Sequence, residues 1–118
     1  MLGIEDNAEV YVFSQATDMR CGFDRLSELV KSKAKKSVLK GGLFVFFSRC
    51  CRKIKILYWD TDGYAIWHKR LEAGKYRIGS SDRIEILEGT DLKDLLSGMD
   101  LSRIRFRRSC RLLRCLCC

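Results

Sequence analysis

Short apolar runs alternate along the chain with turn-forming and charged residues, in a pattern that predicts strands and short helices. Residues 9–14 contain the β-prone run Val10 to Phe13, and residues 43–47 are five consecutive apolar residues that predict a central strand covered on both faces. Between these strands we expect a helix that Thr17 or Asp18 caps, because the apolar positions after them recur at helical spacing. Those positions are Phe23, Leu26, Leu29 and Val30.

The second half of the chain predicts hairpins followed by a closing helix. Residues 53–59 and 64–71 flank Asp60-Thr61-Asp62-Gly63, and Asp-Gly favours a tight turn in which both residues adopt positive φ. Two further short strands are expected at residues 76–78 and 84–87. Thr90 is expected to cap the last helix, Gly98 to end it, and one apolar stripe to face the core: Leu92, Leu95, Leu96 and Met99.

This order of elements predicts an α+β fold. We expect a single domain, with an antiparallel β-sheet of about five to six strands and two helices packed on one side of it. A chain of 118 residues has room for one domain. We place that domain at residues 8–102 and a basic, cysteine-rich tail, which we expect to be mobile, at residues 103–118.

The net charge of +8 is concentrated in two blocks that contain no acid. Residues 31–55 carry nine basic residues and residues 103–118 carry six arginines, whereas residues 1–30 and 56–102 have net charges of −4 and −3. Concentrated positive charge attracts polyanions, chiefly because phosphates release counterions on binding. The alternative is a merely solvated surface, but two such blocks in so short a chain favour nucleic acid.

Basic residues also meet within the predicted hairpin. Lys53 and Lys55 share a face with His68 and Arg70 at either turn length, because a slip of two residues preserves the side. A two-residue loop places Lys55 opposite Arg70, and a four-residue loop places it opposite His68. Like charges on opposite strands are unfavourable, so this end either meets a phosphate or is neutralised locally by Glu72.

The candidate DNA-contacting residues come from both blocks and from the hairpin. Trp59 shares the hairpin face, and we expect it to pack in the core, with base stacking as the alternative. The candidates are Lys35, Lys36, Arg49, Arg52, Lys53, Lys55, Arg70, Arg105, Arg107 and Arg108.

The seven cysteines do not resemble a disulfide framework. Three lie in the body and four within the last nine residues. The odd number of cysteines and their uneven distribution predict reduced thiols. The first residues do not resemble a signal peptide, so we expect a cytoplasmic protein. Their spacing does not suit zinc, so we expect neither a metal nor a cofactor. We expect no membrane partner either, because no apolar run approaches the roughly 20 residues that cross a bilayer.

Paired carboxylates are the strongest enzymatic feature, and a simpler explanation exists for them. Asp18 with Asp24, or Asp60 with Asp62, would suit two-metal phosphoryl transfer. However, Asp18 fits a helix start, and the later pair fits a turn. We therefore predict that the protein is not an enzyme.

Five segments resemble the TnpB accessory proteins of the IS66 group of insertion sequences, in that family's order and spacing. They are TDMRCGFD (residues 17–24), GLFVF (42–46), RKIKILYWD (52–60), DGYAIWHKRLE (62–72) and DLLSGMD (94–100). The resemblance covers about residues 8–102. Cys21, Cys50 and Cys51 depart from it, because the family usually has basic residues at those places.

The resemblance implies a small bacterial protein encoded beside a separate, larger DDE-type transposase, and it supplies no catalytic residues. We therefore expect a non-catalytic accessory protein that assists transposition by contacting DNA or the protein–DNA complex. The alternative is a protein-interaction subunit that docks on the transposase without binding DNA.

Overall fold

The computed structural model of the chain describes Ile4, residues 7–76 and residues 84–96. In chain order, its elements are β1 (Glu9–Phe13), α1 (Phe23–Leu29), a π-helical turn (Val30–Ala34), a 3-10 turn (Val38–Lys40), β2 (Leu43–Phe47), β3 (Lys53–Asp60), β4 (Gly63–Arg70), β5 (Ile84–Glu88) and α2 (Gly89–Leu96). These elements confirm the α+β class and the two helices.

The described strands form one five-stranded sheet in the order β4-β3-β2-β1-β5. β1 pairs with β2 in parallel and the other three pairings are antiparallel, so the sheet is mixed and the purely antiparallel prediction is wrong. The physical reason is the long connection between β1 and β2. It contains α1, and a helical crossover returns the chain to the same end of the sheet.

The helices cover opposite faces of the sheet, which corrects the prediction that both lie on one side. The run Val10 to Phe13 and the run Leu43 to Phe47 place apolar side chains on both faces, so each face needs a cover. The face under α1 buries Tyr11, Phe13, Leu26, Val30, Val38, Phe44, Phe46 and Leu57. The face under α2 buries Val10, Val12, Val45, Phe47, Cys51, Ile54, Ile56, Tyr76, Leu87, Leu92 and Leu95.

The helix starts differ from those predicted. α1 begins at Phe23 after Gly22, which makes no side-chain cap bond, and residues 14–22 form a loop instead. The amide of Thr17 donates to the carbonyl of Phe47 at 2.9 Å, which fastens this loop to the end of β2. α2 begins at Gly89, so Thr90 lies inside it, and the carboxylate of Asp91 accepts the Glu88 amide at 3.3 Å.

The hairpin has the register predicted for the four-residue loop, although its loop consists of two residues, Thr61 and Asp62. Lys55 lies opposite His68, and pairing continues to Asp60 opposite Gly63. Thr61, with φ of 52°, takes the left-handed position that was predicted for Asp62 and Gly63. Tyr76 is not in a strand, and the rest of the strand predicted at 76–78, like Gly98 and Met99, lies outside the described residues.

Candidate nucleic-acid interface

Five of the candidate cations lie at one end of the sheet, where β2 turns into β3 and β4 ends. We call this set, Arg49, Arg52, Lys53, Lys55 and Arg70, the basic hairpin end. The strand register brings it together, because Lys53 pairs with Arg70 and the next residue on the same face, Lys55, pairs with His68. Side chains directly opposite in an antiparallel pair have Cβ atoms about 4.5–5.5 Å apart, so these groups share one patch.

A tight turn presents Arg49 and Arg52, which are both exposed, beside this patch. The carbonyl of Ser48 accepts the Cys51 amide at 3.0 Å, and the Ser48 hydroxyl accepts the Lys53 amide at 3.1 Å. Cys51 has a φ of 60°, an uncommon conformation for a residue other than glycine. The turn therefore holds a fixed shape that directs two arginines outward.

The side chains of two of the five cations have partners among the described residues. Arg70 forms an ion pair with Glu72 at 2.8 Å, and both side chains are mostly exposed. Lys55 donates to the backbone carbonyl of Cys21 at 2.8 Å, which ties β3 to the loop before α1. The described residues provide no ion pair for Lys53. Local neutralisation by Glu72, which was one of the two sequence-based alternatives, is thus present for Arg70.

His68 reports the electrostatic environment of the patch. Its pKa is lowered from 6.5, first by partial burial and then by the positive charges of Lys55 and Lys53. Both effects disfavour the charged imidazolium. The lowered pKa favours the neutral imidazole at pH 7, and an anion at this end would favour its protonation.

Lys35 and Lys36 are not part of the basic hairpin end. The ammonium of Lys36 lies 5.7 Å from the centre of the Tyr11 ring. Tyr11 is two strands away from β3, level with Leu57, whereas Lys53 lies four residues further along. Standard strand spacings place the Tyr11 and Lys53 backbones roughly 16 Å apart. Both lysines instead line a pocket of about 470 Å³ at the other end of the sheet, with Lys40, Gly41 and Gly42.

The remaining candidates and Trp59 have separate outcomes. Arg105, Arg107 and Arg108, with the rest of the tail, lie outside the described residues. Trp59 packs edge-on against Tyr64 with ring centres 5.3 Å apart, at the margin of the core under α1, as the core interpretation predicted.

The predicted carboxylate pairs have ordinary structural roles where they are described. Asp18 forms an ion pair with Arg20 at 2.7 Å, and hydrogen bonds from the Arg20 side chain and amide lower the Asp18 pKa from 3.8 to about 2. Asp60 pairs with Gly63 at the hairpin turn. Across the described ranges, no group of three or more metal-ligating side chains is close enough to hold an ion.

The cysteines follow the prediction in part. Cys21 and Cys50 are free thiols. Cys51 is disulfide-bonded, so the prediction of reduced thiols is wrong for this residue.

None of the helices in the described part of the chain is long and apolar enough to span a bilayer.

The sequence-based candidates omitted the loop at residues 14–22, which lines a second pocket together with Arg25 and Lys33. The signal for it was the strand–helix–strand order, because a loop that follows the first strand of such a unit commonly binds ligands.

Comparison with known proteins gives one family match and two similar proteins of Sinorhizobium fredii. Residues 8–106 match the family described as IS66 Orf2 like protein. The uncharacterized protein y4hO is 36% identical over 101 residues, which cover 85% of this chain and 88% of that protein. The uncharacterized protein y4jC is 28% identical over 106 residues, 89% of this chain and 91% of that protein. No solved structure gives a significant match.

Proposed function

This chain belongs to the IS66 Orf2-like protein family, whose members are insertion-sequence proteins, and we propose that it is a non-catalytic accessory protein of transposition that contacts DNA. We propose that it assists the separate transposase of its element at the DNA or at the protein–DNA complex. We expect it to act in the bacterial cytoplasm, where its DNA partner is found.

The observation that carries the DNA proposal is the basic hairpin end. Four of its cations lie on a rigid scaffold, because Lys53, Lys55 and Arg70 belong to paired strands and Arg52 accepts the Leu71 amide at 2.7 Å through its carbonyl. Lys53 lies opposite Arg70, and in the isolated protein Glu72 offsets part of their repulsion. A phosphate between them would turn that repulsion into two attractive contacts.

The expected binding is mainly to the phosphate backbone. A strand end and a tight turn place cations at fixed separations, and contacts of this kind position a protein on a duplex without reading bases. Each phosphate contact contributes about 0.9 to the slope of log affinity against log salt concentration. The five cations of the basic hairpin end therefore set an upper limit of roughly 4.5 on their part of the slope.

A second candidate function is docking on the transposase through strand pairing, with no direct DNA binding. Among the described strands β4 lies at the edge of the sheet, with β3 as its one neighbour. No other described strand pairs with its outer edge, and addition of a partner strand to such an edge is a common mode of protein recognition. This reading assigns the basic charge to solubility.

The experiment is a salt titration of the full chain with a labelled DNA duplex. We expect the double variant Lys53→Gln/Arg70→Gln to bind all sequences more weakly and to reduce the salt slope by about 1.8. Between 50 and 200 mM salt, the affinity of the double variant should then fall about 12-fold less than that of the wild type. Its stability should change little, since the removal of a like-charge pair offsets the loss of the exposed ion pair between Arg70 and Glu72.

The single variant Lys53→Gln should reduce the salt slope by about 0.9. Its matched control is Lys93→Gln, which should leave the slope unchanged, because Lys93 is exposed on α2, on the opposite face. An unchanged affinity and slope in the double variant would exclude the basic hairpin end as the contact surface. Co-purification with the transposase, without duplex binding by the protein alone, would favour the docking function instead.

A further inference from the structure

A pocket of about 470 Å³ opens between the loop that follows β1 and the helix after it. Its size falls within the usual range for small-ligand sites. Phe13, Leu29 and Ile84 provide apolar lining, which we call its apolar side. The loop adds the polar residues Ser14, Gln15, Thr17 and Asp18, so the pocket suits a ligand that is itself part apolar and part polar.

A buried hydroxyl within this lining has an unmet hydrogen bond. Ser14 is 6% exposed, and its Oγ makes no hydrogen bond with any described group. Buried polar groups in folded proteins nearly always have a partner, so an exception calls for an explanation. A ligand that donates to this hydroxyl, or accepts from it, would supply the missing partner.

The charged groups of the pocket leave a positive rim. Arg25 and Lys33 line it from the helical side, and Lys33 donates to the side-chain carbonyl of Gln15 at 3.0 Å. Asp18 also lines the pocket, but its charge is matched by Arg20 at 2.7 Å. The rim therefore favours an anionic group on the ligand.

The pocket also occupies a position in the sheet where ligands commonly bind. It lies at the carboxyl end of β1, whose neighbours are parallel β2 on one side and antiparallel β5 on the other. In α/β sheets, crevices outside the carboxyl ends of parallel strands are common ligand sites, and the carboxyl ends of β1 and β2 lie at the same edge here. The bond from Lys55 to the carbonyl of Cys21, a residue of this lining, connects the pocket to the basic hairpin end.

We propose that this pocket binds a single nucleotide unit. Its phosphate lies between Arg25 and Lys33, its base lies against the apolar side, and one of its polar groups bonds Ser14. The inference deepens the proposed function, and it rests on that function for the source of the nucleotide, a strand whose backbone crosses the basic hairpin end.

The test uses thymidine 5′-monophosphate and inorganic phosphate, each titrated into the 15N-labelled full chain without duplex DNA. We expect thymidine 5′-monophosphate to shift the backbone amide signals of residues 14–21 and to bind at least about fivefold more tightly than phosphate. Arg25→Gln should weaken its binding roughly tenfold, since a charge-assisted bond is lost. Lys93→Gln on the opposite face is the control and should bind as the wild type does.

Ser14→Ala separates a binding role from a structural one. It should weaken nucleotide binding a few-fold and leave the unfolding temperature equal or higher, because the unsatisfied hydroxyl is removed. A lower unfolding temperature with unchanged binding would assign Ser14 a structural role and contradict the proposal.

Three results would overturn the nucleotide assignment. They are no shift at residues 14–21, unchanged affinity in Arg25→Gln, and equal affinity for phosphate and nucleotide, which would indicate an anion site only. These results are independent of the duplex salt titration, which tests Lys53 and Arg70, so the two proposals fail separately.

Discussion

Replacing Glu72 by glutamine tests whether Arg70 contacts DNA. In the free protein, the Glu72 carboxylate lies 2.8 Å from the Arg70 guanidinium. The arginine side chain is 63% exposed and the glutamate side chain is 79% exposed. Exposed pairs of this kind contribute about 0.2–1 kcal/mol, so folding should tolerate the change. If Arg70 meets a phosphate, that pairing competes with DNA, and its loss should strengthen duplex binding by at most about fivefold.

The salt dependence gives a second measurement. Arg70 is already one of the wild-type contacts, so the slope of log affinity against log salt should be the same in Glu72→Gln as in the wild type. From 50 to 200 mM salt, the gain in affinity of the Glu72→Gln variant should therefore stay about constant. Fluorescence anisotropy with a labelled duplex, over a salt series at fixed pH, measures both quantities.

A double-mutant cycle tests the mechanism behind that gain. In the Arg70→Gln background, Glu72→Gln should have little effect, because the competing pair no longer exists. An equal gain in both backgrounds would show that removing any negative charge suffices. Unchanged or weaker binding in Glu72→Gln alone would refute a contact between Arg70 and DNA.

Three further predictions concern pH, the backbone and the tail. The folded-state pKa of His68 lies below 6.5, so the contribution of His68 to stability is full above pH 6.5 and is lost as the pH falls toward the lowered pKa. Bound DNA should raise the pKa of His68, because phosphates favour the charged imidazolium. Duplex affinity should thus rise between pH 7.5 and 5.5 more steeply in the wild type than in His68→Gln, and parallel curves would contradict this. Gly42→Ala should lower the free energy of unfolding by about 1–3 kcal/mol in a urea titration, because Gly42 has a φ of +98° and the new Cβ would lie 3.2 Å from the Tyr11 ring. Gly22→Ala is the control and should be nearly neutral, because its Cβ would meet nothing within 4 Å. Deleting residues 103–118 should preserve cooperative unfolding and weaken DNA binding, and loss of the cooperative transition would place the tail in the core.

The strands were predictable because their apolar runs and turn residues are local signals. The run Leu43 to Phe47 is so continuous that a strand buried on both faces was the natural prediction, and β2 is that strand. The face shared by Lys53, Lys55 and Arg70 also followed from the period of two, although the register did not. Turn geometry set the register, because Thr61 rather than Gly63 adopts the positive φ.

The features that the sequence did not predict depend on contacts between distant residues. The parallel pairing of β1 with β2 depends on where the crossover helix packs, and no single residue signals it. Aspartate is a common helix cap, yet Asp18 forms an ion pair with Arg20, and α1 begins five residues later, at Phe23. The pocket at Ser14 follows from that same loop, and it could not be located before the loop was known.

The position of β1 between β2 and β5 has a consequence for how the chain is synthesised and folded. Strands β2, β3 and β4 are neighbours in both sequence and space, so they can pair soon after leaving the ribosome. β1 is made first, but its outer edge pairs with residues 84–88, about 75 residues later. At 5–20 residues per second, the apolar edge of β1 waits on the order of 4–15 s for that strand. During this interval the nascent chain should depend on chaperones, and a chain that ends at Tyr76 should aggregate where the full chain stays in solution.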